Sequence, residues 1–322
     1  MVLIISQSHS EYSTDDVIDW LSYYDQSFIR LNGIDYLRSP QIKLGFNKKN
    51  TILGDLPLEE VKVVWFRRWT SAEDRSYLML NLRDFKPYLL QLNEFLRGEY
   101  NILTDYLLSV LKNKVYGKIL RDDINKLLVL RKAVELGINI PETAVISLRS
   151  EFEEFVKNGE VITKPIGNGK GIDFSKNTYV PYTAKCNTLN KAVGSKFAPS
   201  LFQKHINKKH EIRTFYLNGK FFSMAIFSQS NAQTSVDFRR YDNNKPNRTI
   251  PFQLPLSFER KLKKLAMFFG LKLGSFDIIR TPDDKYCLLE INPEGQFGMV
   301  SYPCNYFLEK EIALELIKAN EK

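Results

Sequence analysis

A mixed α/β and α+β fold, divided among more than one packed unit, is what this sequence predicts, and three observations predict it. The chain opens on a strand-helix-strand pattern, its middle holds short strands separated by turn residues, and its last third alternates helices with apolar strands. With 43% hydrophobic residues in 322, the chain can bury a sizeable core, which argues against disorder. A formal net charge of +9 suits an anionic partner. Nucleic acid is not the expected one, because no basic and aromatic motif has the spacing of an RNA-binding module.

The elements follow in order. Residues 2–5 are a four-residue apolar run without a basic flank, which reads as a buried strand and not a signal peptide. Ser13-Thr14-Asp15-Asp16 reads as a capping box opening a helix over 17–23. A second strand over 61–66 runs into Arg67-Arg68-Trp69, and two helical stretches follow, over 77–96 and 98–111. Apolar residues Ile124, Leu127, Leu128, Leu130, Val134 and Leu136 predict a helix over 122–136, stopped by Gly137 and Pro141. Strands are expected over 143–147, 161–164, 201–204, 212–217 and 221–227, the last two joined by the hairpin signal Asn218-Gly219. A helix over 257–269, strands over 274–280 and 286–291, and a closing helix over 305–318 complete the chain. Three widely spaced cysteines, an odd count without zinc spacing, fit a reducing cytoplasm. No stretch approaches membrane-spanning length, so no membrane association is expected.

Chemistry concentrates in the strand pair GSFDIIR and YCLLEINPEG. The length of the turn over 281–285 predicts Asp277 opposite Glu290 and Ile279 opposite Leu288, with Asn292 two places along on the same face. Carboxylates inside strands this apolar need a counterpart, because a buried unpaired charge is costly. Mg²⁺ bound by oxygen ligands meets that need, and so does an ion-pair network with Lys or Arg. A glycine-rich loop follows strand 161–164: Gly167, Gly169 and Gly171 let backbone amides approach phosphate, while Lys164 and Lys170 add positive charge. A plain flexible hairpin has the same composition. In Phe202-Gln203-Lys204-His205-Ile206, a strand edge leads into a loop that can offer backbone groups to a purine, and beyond it Glu211 and Arg213 share one strand face. An internal ion pair accounts equally for those two. His205 is assigned no role as general base. Together these residues point to a nucleotide-dependent ligase.

In their order, NKLLVLRKAVELGINIPET, VITKPIGNGKGI, FQKHINKKHEIRTF, VDFRRYD, FDIIR and LLEINPEG resemble the RimK-like branch of the ATP-grasp ligases over roughly 114–322. The end, EINPEGQFGMVSYPCNYFLEKEIA, is similar to the maturases of microviridin-type peptides (graspetides), particularly those of grasp-with-spasm systems. That resemblance implies an ATP-grasp fold with a pre-ATP-grasp α/β domain over 1–113. A central subdomain over 114–197 would carry the glycine loop, and a C-terminal subdomain over 198–322 the metal site, the two subdomains enclosing the nucleotide. It implies ATP and two Mg²⁺ as cofactors and a ribosomal precursor peptide with a leader segment as partner. Acidic side chains of that peptide would be cross-linked to Ser, Thr or Lys as ω-esters or ω-amides.

By the same resemblance, Lys126 and Lys164 touch ATP phosphates, Gln203 to Ile206 contact adenine, and Glu211 binds ribose. Arg213 and Arg239 face phosphate and the activated carboxylate, and Asp277, Glu290 and Asn292 bind metal. Lys204 departs from the acid common after the Gln, which leaves adenine to the backbone. The basic stretch over 239–248, with Lys245 and Arg248, is a candidate leader-docking segment. Homodimers are the commonest assembly of soluble chains, so a homodimer is expected.

Overall fold

The computed structural model describes residues 1–8, 11–33, 42–43, 52–53, 56–69, 88–119, 124–167, 172–174, 177–179, 183–229, 244 and 246–322. They form two compact units, one of Met1–Asp122 with Phe307–Lys322, the other of Asp123–Tyr306.

In the first unit, β1 (Val2–Ser6), α1 (Tyr12–Tyr23), β2 (Phe28–Asn32), the short β3 (Ile42–Lys43), β4 (Ile52–Leu53) and β5 (Leu56–Pro57), then β6 (Val63–Phe66) and α2 (Leu89–Leu111) follow in sequence. The main sheet is parallel with order β2-β1-β6. Every residue of β1 is buried, as a central parallel strand covered on both faces requires, and this explains its continuous apolar run. Leu107, Leu108 and Leu111 of α2 pack on Leu3, Ile5, Val64 and Phe66. The closing helix, Leu308–Asn320, packs on α1 and β6, and Tyr116 donates to Glu315 at 2.7 Å within the same unit.

Two expectations are corrected here. Helix α1 starts at Tyr12, with Glu11 as its N-cap residue, so Ser13 and Thr14 do not form a capping box. Their hydroxyls donate instead to Glu11 Oε1, at 3.0 and 3.1 Å, an atom that also accepts from Arg67 Nη2 at 3.1 Å. Arg68 Nε lies 2.9 Å from the other Glu11 oxygen. Burial pushes the Glu11 pKa up, and Arg67 and Arg68 outweigh it, so the group sits below its ordinary value. Local hydroxyls therefore serve a long-range ion pair. The second correction concerns α2, which runs unbroken through Gly98 where two stretches were expected; residues 77–87 lie outside the described residues.

The second unit begins with α3 (Lys126–Glu135), shorter than expected because Asn125 caps it by accepting from the Leu127 and Leu128 amides. Gly137, at φ +67°, ends it. Next come β7 (Thr143–Leu148), α4 (Arg149–Val156), β8 (Val161–Lys164), the hairpin β9 (Ile172–Phe174) and β10 (Asn177–Tyr179), β11 (Ala184–Lys185) and β12 (Lys196–Lys204). Four of these strands form a sheet of order β11-β8-β12-β7. A larger antiparallel sheet, β15-β14-β13-β16-β17, contains β13 (His210–Leu217), β14 (Lys220–Phe227), β15 (Arg248–Phe252), β16 (Leu273–Arg280) and β17 (Tyr286–Asn292), with α5 (Leu256–Phe268) and α6 (Gly298–Cys304) between and after them. Asn218 and Gly219 both take positive φ, as a two-residue hairpin turn demands. One face of this sheet (Ile212, Phe276, Ile278, Leu288) packs on Leu262, Leu265 and Ala266 of α5 and Val129 and Ala133 of α3. The alternate residues, among them Glu211, Arg213 and Asp277, point the other way. No described helix is long and apolar enough to cross a membrane.

At one end of the α5-facing side, His210 is buried between the rings of Phe227 and Phe252, each at 5.4 Å, and neither ring nitrogen has a hydrogen-bond partner. Burial, then Arg280 and Lys209, lower its pKa from 6.5. The unfolded chain therefore binds this proton more readily, so the stability due to neutral His210 is full above about pH 6.5 and falls as the pH drops toward the folded-state value. A His210→Phe variant is expected to lose less stability than wild type between pH 7 and 5 in urea titrations; parallel losses in the two proteins would show that His210 does not titrate between the two states.

Candidate active site

The site is built where β13, β16 and β17 lie side by side. Arg213 pairs in register with Asp277, and Asp277 with Glu290, so three charged residues form a row across three strands. Asp277 faces Glu290 as expected, whereas Ile279 faces Cys287 and not Leu288. A register shift between Asp277 and Ile278 accounts for both: past the turn Arg280 pairs with Tyr286, and Leu289 is the extra residue of a bulge. The bulge has a visible consequence. Leu289 and Glu290, neighbours that a regular strand would point to opposite faces, both line one cleft.

Charges in this row are paired. Arg213 Nη1 donates to Asp277 Oδ1 at 2.6 Å, both side chains being nearly buried. Lys126 Nζ lies 3.7 Å from Glu290 Oε2 and donates to the Pro165 carbonyl at 3.2 Å. Lys164 Nζ donates to the carbonyl of the bulged Leu289 at 3.5 Å. Asn292 pairs with Ser275, and its Oδ1 accepts from the Glu294 amide at 3.1 Å, an Asx turn that redirects the chain after β17. Gly295 completes the turn at φ +59°. A Cβ there would come 3.0 Å from the Phe215 ring and 3.1 Å from the Gly274 backbone, so the INPEG glycine has a steric reason.

The cleft opens to solvent. Ile162, Ile206, Ile279 and Leu289 give it apolar walls, and Lys164, Gln203, Glu211, Asp277 and Glu290 bring polar groups to it. Gln203 is fully buried; its amide donates to Thr143 Oγ1 at 2.8 Å, and Oε1 has no partner among the described residues. Lys204 turns its ammonium away, to the Phe155 carbonyl and ring. The amides of Lys204 and His205 are taken by the carbonyls of Glu142 and Glu160, and His205 Nδ1 lies 3.3 Å from Glu160. Burial first, then Lys185, lower the His205 pKa. Glu211 accepts from Lys208 at 2.5 Å and from Ser228 at 2.8 Å; burial nonetheless pushes its pKa up, against the pull of Lys208. Burial pushes the Cys287 thiol up to about 12, so it is no nucleophile.

Gly167 is exposed at the end of the described part of its loop, while Gly169, Lys170, Gly171 and Arg239 lie outside the described residues, as does Lys245. Arg248 stands on the edge strand β15 with its guanidinium over the Phe227 ring at 5.7 Å. Lys208, Ser228, Thr143 and the bulge at Leu289 were not foreseen. Only Lys208, three residues before Glu211, had a signal in the sequence, as one of the cations close to a strand carboxylate. Among the described residues no three His, Cys, Asp or Glu side chains gather to hold a metal by themselves. The donor chemistry of Asp277 and Glu290, two hard carboxylates side by side, fits Mg²⁺, which is commonly held by one or two carboxylates with substrate phosphates completing its shell.

The comparison with solved structures shows that this chain, with its carboxylate row on an antiparallel sheet facing a cleft bounded by a second small sheet, has the ATP-grasp fold. No protein-family model and no curated protein matches the sequence. The chain is similar to the macrocyclase MdnC of Microcystis aeruginosa MRC, solved with the precursor peptide MdnA, at 26% identity and a TM-score of 0.75, covering 99% of this chain and 100% of that one. It is similar to a RiPP-associated ATP-grasp ligase of Chryseobacterium gregarium in complex with ADP and a leader and core peptide, at 23% identity and a TM-score of 0.79, covering 98% and 96%. A third is the ATP-grasp ligase PsnB with a precursor variant, Mg and ADP, at 15% identity and a TM-score of 0.76, covering 100% and 98%.

The buried Arg213–Asp277 pair is expected to be strongly coupled. Arg213→Met should destabilise the protein by about 3 kcal/mol by removing the guanidinium that compensates the buried Asp277 charge, and Asp277→Asn in the same chain should recover part of that loss, giving a coupling on the order of 2 kcal/mol in a double-mutant cycle of urea unfolding. Additive losses would show the two groups to be independently solvated.

Proposed function

We propose that this chain is an ATP- and Mg²⁺-dependent peptide ligase that joins Asp or Glu side chains of a ribosomally made precursor to Ser, Thr or Lys side chains of the same peptide. The observation that carries the reading is the end-to-end match to a peptide macrocyclase, the most similar in sequence of the three structures compared, together with the carboxylate row at the cleft.

Chemically, a substrate carboxylate oxygen bonds to the γ-phosphorus of ATP as the bond to ADP breaks. A hydroxyl or amine then attacks the acyl phosphate carbon, loses its proton and expels phosphate. Each link thus removes one water from the peptide overall. Anions must approach one another in the first step, so cations are required. Lys126 and Lys164 hold phosphates, and Arg213 and Arg239 serve phosphate and substrate carboxylate, the planar guanidinium matching two oxygens. Mg²⁺, held by Asp277, Glu290 and Asn292, supplies charge neutralisation at the transferred phosphoryl group. Adenine lies between the apolar walls near Gln203. With the Lys204 and His205 amides taken, Ile206 is the remaining amide of the segment for a purine nitrogen, and Glu211 accepts from ribose hydroxyls. Gly167, Gly169, Lys170 and Gly171 serve the ATP phosphates, glycine backbone amides and the Lys170 charge being suited to phosphate oxygens. The divisions at 113 and 197 belong to this proposal, as do the leader-bearing partner and its contact with Arg248.

Incubating the protein with ATP, Mg²⁺ and the peptide encoded beside its gene should yield ADP and a peptide lighter by one water per link, with Glu290→Ala inactive. A mass increase on supplying free amino acids would indicate a ligase that adds them to a chain, and ATP turnover unaffected by Glu290→Ala would refute the metal assignment.

A further inference from the structure

Glu211 stands in the cleft with one oxygen engaged and one left over. Its Oε1 accepts from Lys208 Nζ at 2.5 Å and from Ser228 Oγ at 2.8 Å, while Oε2 has no hydrogen-bond partner among the described residues. Three stretches of chain converge to arrange this. Glu211 comes from β13, Ser228 follows the end of β14, and Lys208 comes from the loop between β12 and β13. That loop is itself pinned, because Gln229 Nε2 donates to the Lys208 carbonyl at 3.2 Å and the Lys209 amide to the Arg280 carbonyl at 2.7 Å. The side chains of Lys208 and Glu211 are only 6% and 8% exposed, and Ser228 is fully buried, so the pair is built into the wall of the cleft.

A carboxylate accepts at both oxygens, so the two donors need not have met on one. Gathered on Oε1, they fix the rotation of the side chain and leave Oε2 to a ligand, since a nearly buried carboxylate oxygen is costly to keep without a donor. Burial raises the Glu211 pKa and Lys208 is the largest opposing influence, so this ammonium favours the ionised, acceptor-only form. ATP brings hydrogen-bond donors in two places, the amino group of its base and the two hydroxyls of its sugar. Position decides between them. Gln203 to Ile206 take the base in the reading given above, and Arg213, two residues beyond Glu211 and about 7 Å along β13, pairs with Asp277 in the row that faces phosphate. Glu211 therefore stands between base and phosphates, where the sugar of a nucleotide lies.

We infer that Lys208 and Ser228 are positioning residues that make this site selective for the ribose form of its nucleotide, by holding Glu211 so that Oε2 accepts from a sugar hydroxyl. The inference rests on the nucleotide reading of the cleft and assigns two residues that reading leaves without a role. An ion pair that only held the end of the sheet together would be indifferent to the sugar. A site built to bind a hydroxyl penalises its loss, because the acceptor is then left unpaired.

Titration calorimetry of the full chain with ADP, 2′-deoxy-ADP and 3′-deoxy-ADP in the presence of Mg²⁺ tests this without the peptide. Wild type is expected to bind ADP roughly tenfold or more tightly than at least one of the deoxy forms. Lys208→Met should weaken ADP by roughly the same factor and leave that deoxy form nearly unchanged, so that the discrimination collapses, and Lys208→Arg should restore much of it. Ser228→Ala should move the ratio the same way by a smaller factor, and it decides the matter should Lys208→Met fail to fold. Equal weakening of all three nucleotides by Lys208→Met would mark a general electrostatic effect and overturn the inference. Glu211→Ala separates the inference from the reading beneath it: if that variant loses the discrimination while the Lys208 and Ser228 variants keep it, the positioning roles fall and the sugar contact stands. A wild type that binds no ADP, or binds all three alike, would sink both.

Discussion

Everything in the second unit is arranged around the placing of two carboxylates, Asp277 and Glu290, next to each other in the middle of an apolar sheet. Neighbouring like charges with little water are unfavourable unless cations compensate, and the surrounding cations have identifiable origins. Arg213 comes from the adjacent strand in register, Lys126 from the first turn of α3, and Lys164 from the end of β8 in the smaller sheet. The α3 cap and the β8 register are therefore part of the electrostatics of the sheet.

The bulge at Leu289 does two things that a regular strand cannot. It turns Leu289 toward the cleft beside Glu290, so an apolar wall and a carboxylate come from consecutive residues. It also brings the Leu289 carbonyl within reach of Lys164, tying the larger sheet to the smaller one. The Asx turn at Asn292 and the left-handed Gly295 then carry the chain away over Gly274, where only a residue without Cβ fits.

The strands and the carboxylate pairing were legible because alternation and turn residues are local signals. Even so, Asp277 opposite Glu290 was reached by an arithmetic that fails at the turn itself: Arg280 pairs with Tyr286, one place off, and the bulge restores the assumed register further along. Leu289 carries no mark of this, being as apolar as Leu288. Glu11 misled for a different reason. The Ser-Thr-Asp-Asp run has every local property of a capping box, yet its hydroxyls serve a carboxylate whose charge partners, Arg67 and Arg68, come from the end of another strand. The helix α4 was passed over although Phe152, Phe155 and Val156 stand at helical spacing, because eight residues give barely two turns of signal; the edge strand β15 contains Pro251, tolerated because among the described strands β15 has a neighbour on one side only.

Gly98 illustrates the opposite limit. Read locally, glycine in a helical pattern signals an end, and the sequence was divided there into two stretches. Tertiary packing overrides that preference: on the far side of the helix Leu107, Leu108 and Leu111 are locked into the first unit's core, and Asn93 and Thr104 are buried as well, so the helix is held on both sides of the weak point.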